Sequence, residues 1–256
     1  MTHEHTDPRG RLPRRLCTAA VATTIALLCL PAPTAAADSS SQCTFPGKKY
    51  EGRPWSLQRV LVDELWKQST GKGVSVAVID TGVDVKHPQL KRAVNAGSGR
   101  NLMPKGLKDK NGDKLERGKE NGTTDTVGHG TKIAGIIAAR PAKGTGFVGL
   151  APDAKIIPIQ QNDAEGNGTA ETLAAAINYA RQARADVINI SQDTANAVRP
   201  TVLLEQAVNA ALAEDIVIVA SAGNDGLGGN VKKTYPASYE GVLAVAASDR
   251  NNERAP

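Results

Sequence analysis

Three polar residues, far apart in the chain, have the chemical types that an acid, a base and an oxyanion donor require. Asp80 follows the apolar run "VAVI", so its carboxylate is expected to be partly buried and to need a partner. His129 lies between two glycines where an apolar helical pattern begins. A buried aspartate can accept a hydrogen bond from an imidazole, fix its tautomer and let the ring act as a general base. Asn224, in the glycine-containing turn "SAGNDG", could donate its amide to an oxyanion.

Each of these residues, taken alone, also has an ordinary structural explanation. An aspartate in "DTG" can cap a helix or form a turn, and a single asparagine beside glycine tolerates a tight turn. The combination of Asp80, His129 and Asn224 is what favours chemistry over turn formation. Because the three residues are distant in sequence, the site must be assembled by the fold.

The elements that would position them alternate between strands and helices. Runs rich in valine and isoleucine predict strands at 73–80, 154–160, 186–191, 216–224 and 241–247. Amphipathic patterns predict helices from 129 towards 140, at 169–183 and at 201–215, with another at 56–68 whose buried face holds Leu57, Val60, Leu61 and Leu65. The alternation predicts an α/β fold with a central, mostly parallel sheet, and residues 95–126 are interpreted as a long polar loop.

In such sheets the chemistry lies beyond the carboxyl ends of the strands. Asp80, Ser191 and Asn224 each come at or just after the end of a predicted strand. The sequence therefore predicts a composite site at one edge of the sheet, with the helix of His129 beginning nearby.

No metal or cofactor is expected. Asp109, Asn111, Asp113 and Glu120 match a calcium-loop spacing, but Lys114 stands where that loop needs glycine, so a solvated charged loop is favoured. Neither histidine downstream of the N-terminal leader has a second histidine or cysteine close in sequence, which argues against zinc. The glycines of "GTGFVG" follow a helix and precede a strand, the reverse of the order that dinucleotide binding requires.

The N-terminus predicts export. Residues 1–37 combine four arginines, an apolar run of 14 residues at 17–30 and small residues suited to cleavage after Ala37, as in a signal peptide. The alternative, a retained membrane anchor, is disfavoured because the run is short for a bilayer. Cleavage would leave Cys43 without a second cysteine. The net charge of +5 belongs partly to the leader, and without an aromatic-interleaved basic stripe no nucleic-acid partner is expected.

Several segments resemble the subtilisin-like serine proteases (peptidase S8 family) in content and order. They are "VAVIDTGVDVKHPQL", "GHGTKIAGIIAA", "GLAPDAKIIPIQ", "DVINIS", "VIVASAGNDG" and "YPASYEGVLAVAASDRNNERA", so the resemblance runs from Gly71 to the end. The leader, the arm with Cys43 and "PWSLQRVLVDELWKQSTGKGVSVAVIDTGV" resemble the mycosins, which are subtilisin-like proteases associated with type VII secretion. The resemblance implies a three-layer subtilisin-like fold, incomplete at the C-terminus, with 38–70 as an N-terminal extension and packing helix and 71–256 as a partial catalytic domain.

The resemblance also implies residue roles in peptide-bond hydrolysis by an Asp-His-Ser triad, without a cofactor, on a protein or peptide substrate. Asp80 and His129 match the acid and the base, and Asn224 matches the oxyanion-hole donor. Ser191 and Gln192 match the strip on which substrate backbone pairs as an added strand. Type VII secretion components are possible partners, and the implied localisation is extracellular or in the cell envelope.

The sequence departs from the family pattern in four respects. Ser191 is followed by Gln192 and Asp193, where common secreted subtilisins have Leu-Gly. The Gly-Thr-Ser-Met-Ala motif that carries the family's nucleophile does not occur, and Ser221 and Ser238 are poor substitutes for it. The C-terminal helix through which mycosins associate with a membrane is not found in these residues. The N-terminal cysteine of mycosins tends to pair with one in the catalytic domain, and this chain has none there.

Two interpretations of the missing nucleophile are open. In the first, the sequence is a fragment of an active protease, inactive as written, and this interpretation is favoured because the matches to acid, base and oxyanion donor all remain. The alternative is a non-catalytic peptide-binding remnant that keeps the cleft and has lost the chemistry.

Overall fold

The structure is a computed structural model of the 256-residue chain, and it describes residues 50–108, 111–163, 168–192, 201–223 and 233–253. The predicted signal peptide, Cys43, Asp193 and Asn224 lie outside the described residues. In the part that is described, none of the helices has the length and apolarity that crossing a bilayer would require.

Six strands form one sheet in which every pair of neighbours is parallel. The strands are β1 (Ser75–Asp80), β2 (Arg100–Asn101), β3 (Lys155–Gln160), β4 (Val187–Ile190), β5 (Val217–Ser221) and β6 (Leu243–Val245). Their order across the sheet is β2-β3-β1-β4-β5-β6. The predicted parallel sheet is thus confirmed, and its central strands are rich in valine and isoleucine because both of their faces are covered.

Three helices cover the two faces of this sheet: α3 (His129–Ala138) on one face, and α4 (Ala170–Gln182) and α5 (Val202–Leu212) on the other. Two short helices, α1 (Trp55–Arg59) and α2 (Val62–Gln68), precede them in the chain. The first turns of α4 and α5 are capped by Thr169 and Thr201, whose side chains accept from the backbone N–H groups of Thr172 and Leu204. These caps explain why both helices begin directly after a threonine.

Alternate residues of β1 separate the core into two layers. Ala77 and Ile79 point to the face covered by α4 and α5, where the larger apolar cluster lies. Val76 and Val78 point to the opposite face and pack with α3. The side-chain period of two along the strand therefore produces the three-layer arrangement that the family resemblance implied.

The N-terminal helix differs from its prediction. The single helix expected over 56–68 is broken at Leu61, whose φ of 51° lies in the left-handed region, and α2 starts afresh after it. The break turns Val60, Leu61 and Leu65 outward, so the predicted buried face is wrong at these three positions. Leu57 and Val62 form the buried face instead.

This N-terminal region packs against the loop between α3 and β3. Leu57, Val62 and the partly buried Trp66 form a small cluster with Val148, and the indole N–H of Trp66 donates to the carbonyl of Leu150 at 2.9 Å. A short apolar cluster therefore fixes α1 and α2 on the loop that follows the helix of His129.

The long polar segment between β1 and α3 is mostly irregular, as predicted, but it contains two short elements. A 3₁₀ turn covers Ala96–Ser98, and the two residues of β2 extend the sheet beyond β3. A two-residue strand carrying arginine and asparagine has no apolar alternation, which is why the sequence did not reveal it.

Candidate active site

Asp80 and His129 are brought into direct contact. Asp80 ends β1, is fully buried at 0% exposure, and its two carboxylate oxygens lie 2.8 and 3.0 Å from Nδ1 of His129. Oδ1 also accepts a hydrogen bond from the backbone N–H of Thr81 at 2.7 Å. The expected partner of the buried carboxylate is therefore the imidazole, together with one backbone N–H group.

The imidazole is held at one nitrogen and open at the other. With Nδ1 bound by Asp80, Nε2 has no hydrogen-bond partner among the residues that the structure describes, and the side chain is 47% exposed. The hydrogen bond to Asp80 is the largest cause that raises the pKa of His129 above 6.5, and the charges of Asp80 and Asp125 add to it; burial and Lys132 lower this pKa. A ring in this state can accept a proton at Nε2 and be stabilised as a cation.

The glycines beside His129 let the helix begin against the end of β1. A Cβ on Gly130 would lie 2.2 Å from the carbonyl oxygen of Gly82 and 3.0 Å from Cβ of Asp80, so no side chain fits there. Gly128 has a φ of +85° and open space around it, so it is required by its conformation and not by a neighbour. The two glycines thus serve different purposes.

Two residues that drew no attention in the sequence, Thr81 and Asp125, connect the surroundings of the pair. The carboxylate of Asp125 accepts from Thr81 Oγ1 at 2.9 Å and from the backbone N–H and hydroxyl of Thr131 at 2.9 and 2.6 Å. Asp125 lies near the end of a long polar segment. In such a segment the neighbouring sequence does not distinguish an aspartate that holds other residues in place from one that only contacts solvent. Only the three-dimensional contacts distinguish it.

Comparison with known proteins gives the family. Residues 71–256 match the Peptidase_S8 description, the subtilase family. This chain belongs to the subtilase family. Subtilisin Savinase of Lederbergia lenta is 35% identical over 203 residues, which are 79% of this chain and 66% of that protein. The thermophilic serine proteinase of Bacillus sp. (strain AK1) is 37% identical over 202 residues, 78% of this chain and 45% of that protein.

A solved structure extends the similarity to the mycosins. The MycP3 protease from the type VII (ESX-3) secretion system matches with a TM-score of 0.63 and 31% identity, over 80% of this chain and 60% of that one. The family and the subtilisin-like fold predicted from the sequence are confirmed. The chain spans 47% to 66% of the length of the first curated relatives that it matches.

In this subtilase the strand ends bring a second predicted segment close to the pair. Ile190, the last residue of β4, is in register with Ile79, so Ser191 follows at the level of Asp80 on the neighbouring strand. The hydroxyl of Ser191 accepts from the side-chain amide of Asn189 at 2.9 Å. Nε2 of Gln192 is buried and has no hydrogen-bond partner within the described ranges.

Asn224 lies three residues beyond β5, outside the described residues, so its predicted role stays a prediction.

A cavity lies at the carboxyl end of β3, the strand that neighbours β1 on the side away from β4. Its volume is about 310 Å³, and its lining includes Gln160, which is in register with Asp80, and Thr126, which precedes α3. The polar segment before α3 contributes its apolar wall through Met103, Pro104, Leu107 and Leu115. Within the described ranges no group of three or more His, Cys, Asp or Glu side chains is arranged to hold a metal ion.

Proposed function

We propose that Asp80 and His129 are the acid and base of a serine endopeptidase site of the subtilisin type. The observation that carries the proposal is the contact of 2.8 Å between the buried carboxylate and Nδ1, with Nε2 facing outward on a half-exposed ring. In that geometry Asp80 holds the tautomer and stabilises the imidazolium, while His129 takes the proton of an attacking hydroxyl and returns it to the leaving amine.

The remaining roles complete this proposal. Asn224 donates its side-chain amide to the oxyanion of the tetrahedral intermediate, and Ser191 with Gln192 pairs with the substrate backbone as an added strand. The unpaired Nε2 of Gln192 supports the second role, because a buried amide without a partner is costly unless a ligand satisfies it. The substrate is a protein or peptide, and no cofactor is required.

The reaction needs a nucleophilic serine. The 256 residues contain no Gly-Thr-Ser-Met-Ala segment. Ser238 is exposed and its backbone N–H donates to Thr234, while Ser221 ends β5 in the sheet. We propose that neither serine substitutes, and that these residues alone do not turn over peptides. Activity belongs to a protein in which they are joined to a nucleophile segment.

The cellular setting is proposed from the mycosin similarity and from the leader. Residues 1–37 act as a signal peptide, 38–70 form an N-terminal extension with packing helices, and 71–256 contribute to the catalytic domain. The protein is exported to the cell surface or envelope, where it acts on a protein substrate of type VII secretion. The similarity to the MycP3 protease supports this setting.

The decisive experiment compares the 256-residue chain with the product of the longer reading frame, if codons after 256 encode a Gly-Thr-Ser-Met-Ala segment. Only the longer product should cleave a casein or peptide-library substrate. In it, His129→Ala should lower kcat by about 10⁶-fold, a magnitude taken over from subtilisin itself. His87→Ala is the matched control, because His87 lies in a turn after β1 and outside the pair. Full activity of His129→Ala would exclude the assigned base.

A further inference from the structure

The inference concerns Asp125, a residue outside the acid–base pair, and it rests on the function proposed above. We propose that Asp125 is a positioning residue for His129. Its carboxylate joins the segment that leaves β1 to the first turn of α3, and it thereby holds the imidazole against Asp80. The proposal stands on hydrogen bonds that run from Asp125 to both segments.

On the helix side, Asp125 supplies the cap that the N-cap residue lacks. Gly128 occupies the N-cap position of α3 and has no side chain with which to accept a hydrogen bond. Asp125 Oδ2 accepts instead from the backbone N–H of Thr131, in the first turn, at 2.9 Å. Oδ1 accepts from the N–H groups of Val127 and Gly128 at 3.1 and 2.8 Å. The chain on both sides of His129 is therefore fixed to one carboxylate.

On the strand side, the same carboxylate reaches the residue that follows Asp80. Thr81 Oγ1 donates to Asp125 Oδ1 at 2.9 Å and accepts from the N–H of Gly130, the residue after His129, at 2.9 Å. The backbone N–H of Thr81 donates to Asp80 Oδ1 at 2.7 Å. One continuous network thus runs from Asp125 through Thr81 to the carboxylate that holds the imidazole.

The hydroxyl of Thr131 makes a second connection. It donates to Asp125 Oδ2 at 2.6 Å and accepts from the N–H of Asp84, farther along the segment that leaves β1. Two threonine hydroxyls therefore bridge the strand exit and the helix start, and each donates to Asp125. With the three backbone N–H groups, five donors reach Asp125, three at Oδ1 and two at Oδ2. An ionised carboxylate has about four acceptor positions, so all of them are used and two donors share one.

The negative charge of Asp125 also favours the protonated form of His129, in addition to the position that its hydrogen bonds impose. Three charged groups act on the pKa of His129. Asp80 and Asp125 raise it, and Lys132, three residues farther along α3, lowers it. Removal of the Asp125 charge should therefore lower the pKa of His129. A residue that only capped the helix would change stability without changing the state of the ring.

The test measures the ring directly and needs no catalysis. Histidine resonances of the full 256-residue chain are followed by NMR as a function of pH, with His129→Gln identifying the signal of His129. Asp125→Asn removes the charge, and Thr131→Val removes one bridging hydroxyl while keeping that charge. Asp153→Asn is the matched control, since Asp153 also accepts from a threonine hydroxyl, that of Thr70 at 2.7 Å, just before β3 begins.

We expect Asp125→Asn to lower the pKa of His129, Thr131→Val to weaken protection of the Nδ1 proton from exchange, and Asp153→Asn to change neither. In an active longer product, Asp125→Asn should lower kcat by about tenfold or more with KM nearly unchanged, because a small displacement of a catalytic group is costly. An unchanged pKa and unchanged Nδ1 protection in both Asp125→Asn and Thr131→Val would overturn the proposal. Failure of the proposed function would show differently, as a fully active His129→Ala.

Discussion

Replacement of Gly130 by alanine should separate the two members of the acid–base pair. The added Cβ would lie 2.2 Å from the carbonyl oxygen of Gly82, whereas ordinary van der Waals contact begins at 3.4 Å, so the two backbones must move apart by about 1.2 Å. The same Cβ would lie 3.0 Å from Cβ of Asp80. A shift of this size would stretch the contact of 2.8 Å between Asp80 and Nδ1 of His129 beyond hydrogen-bond length.

The energetic cost should match that of overpacking a tight backbone contact, about 1–3 kcal/mol of unfolding free energy. The backbone N–H of Gly130, which now donates to Thr81 Oγ1, would lose its partner and add to the cost. Urea unfolding of the full chain measures the stability. NMR titration of His129 then reports whether its pKa has returned towards 6.5.

Gly128→Ala is the matched control two residues away. A Cβ there meets nothing within 4 Å, but the φ of +85° is strained for alanine, so the cost should be about 1–2 kcal/mol without separation of the pair. Both variants should therefore lose stability, and only Gly130→Ala should lose the raised pKa of His129. If Gly130→Ala kept that raised pKa and the wild-type stability, the close approach of α3 to β1 would not be the reason for this glycine.

Three further predictions concern stability, measured by urea unfolding of the full chain. Ile177→Ala, at a position of α4 with 0% exposure, should cost about 2–5 kcal/mol, while Val202→Ala, at 69% exposure, should stay within about 0.5 kcal/mol; equal losses would contradict the assigned core. Thr169→Ala removes the half of a capping box in which Thr169 Oγ1 accepts from the N–H of Thr172, and it should cost about 0.5–2 kcal/mol; no loss would argue against the cap. Because the hydrogen bond to Asp80 raises the pKa of His129, the protonated ring stabilises the folded chain. This contribution to the free energy of unfolding should be fully present below about pH 6.5 and should be lost as pH rises through the folded-state pKa. A difference in stability between the wild type and His129→Gln that grew with pH would contradict this expectation.

Much of the fold was predictable because its central strands are buried on both faces. The runs around β1 and β3 are almost continuously apolar, a pattern that a parallel sheet requires and that a half-exposed strand lacks. The meeting of Asp80 with His129 was predictable for a related reason. A carboxylate at the end of such a strand is buried, and a buried carboxylate needs a donor.

The features that the sequence did not reveal depend on contacts between distant segments. The helix predicted over 56–68 breaks at Leu61 although its residues favour one continuous helix, and the apolar cluster with Val148 is formed by Leu57 and Val62 on either side of the break. Two partners of Asp125, the N–H groups of Val127 and Gly128, are local, but Thr81 lies on the segment that leaves β1, so the bridging role of Asp125 has no local signature. The residues next to a position in the sequence do not show which distant residues it contacts in the fold.

Glycine shows most clearly why spacing alone is a weak guide to a site. The glycines of "GTGFVG" have the look of a phosphate loop, yet a Cβ on Gly146 would lie 1.9 Å from the carbonyl oxygen of Gly52, so this glycine is required by packing of the N-terminal segment. Gly130 is required by an equally close contact, but that contact lies at the carboxyl end of β1, beside a buried carboxylate and a half-exposed imidazole. A glycine required by a close backbone contact therefore serves only packing at position 146 and lies in the candidate active site at position 130. The residues that the contact brings together distinguish the two cases.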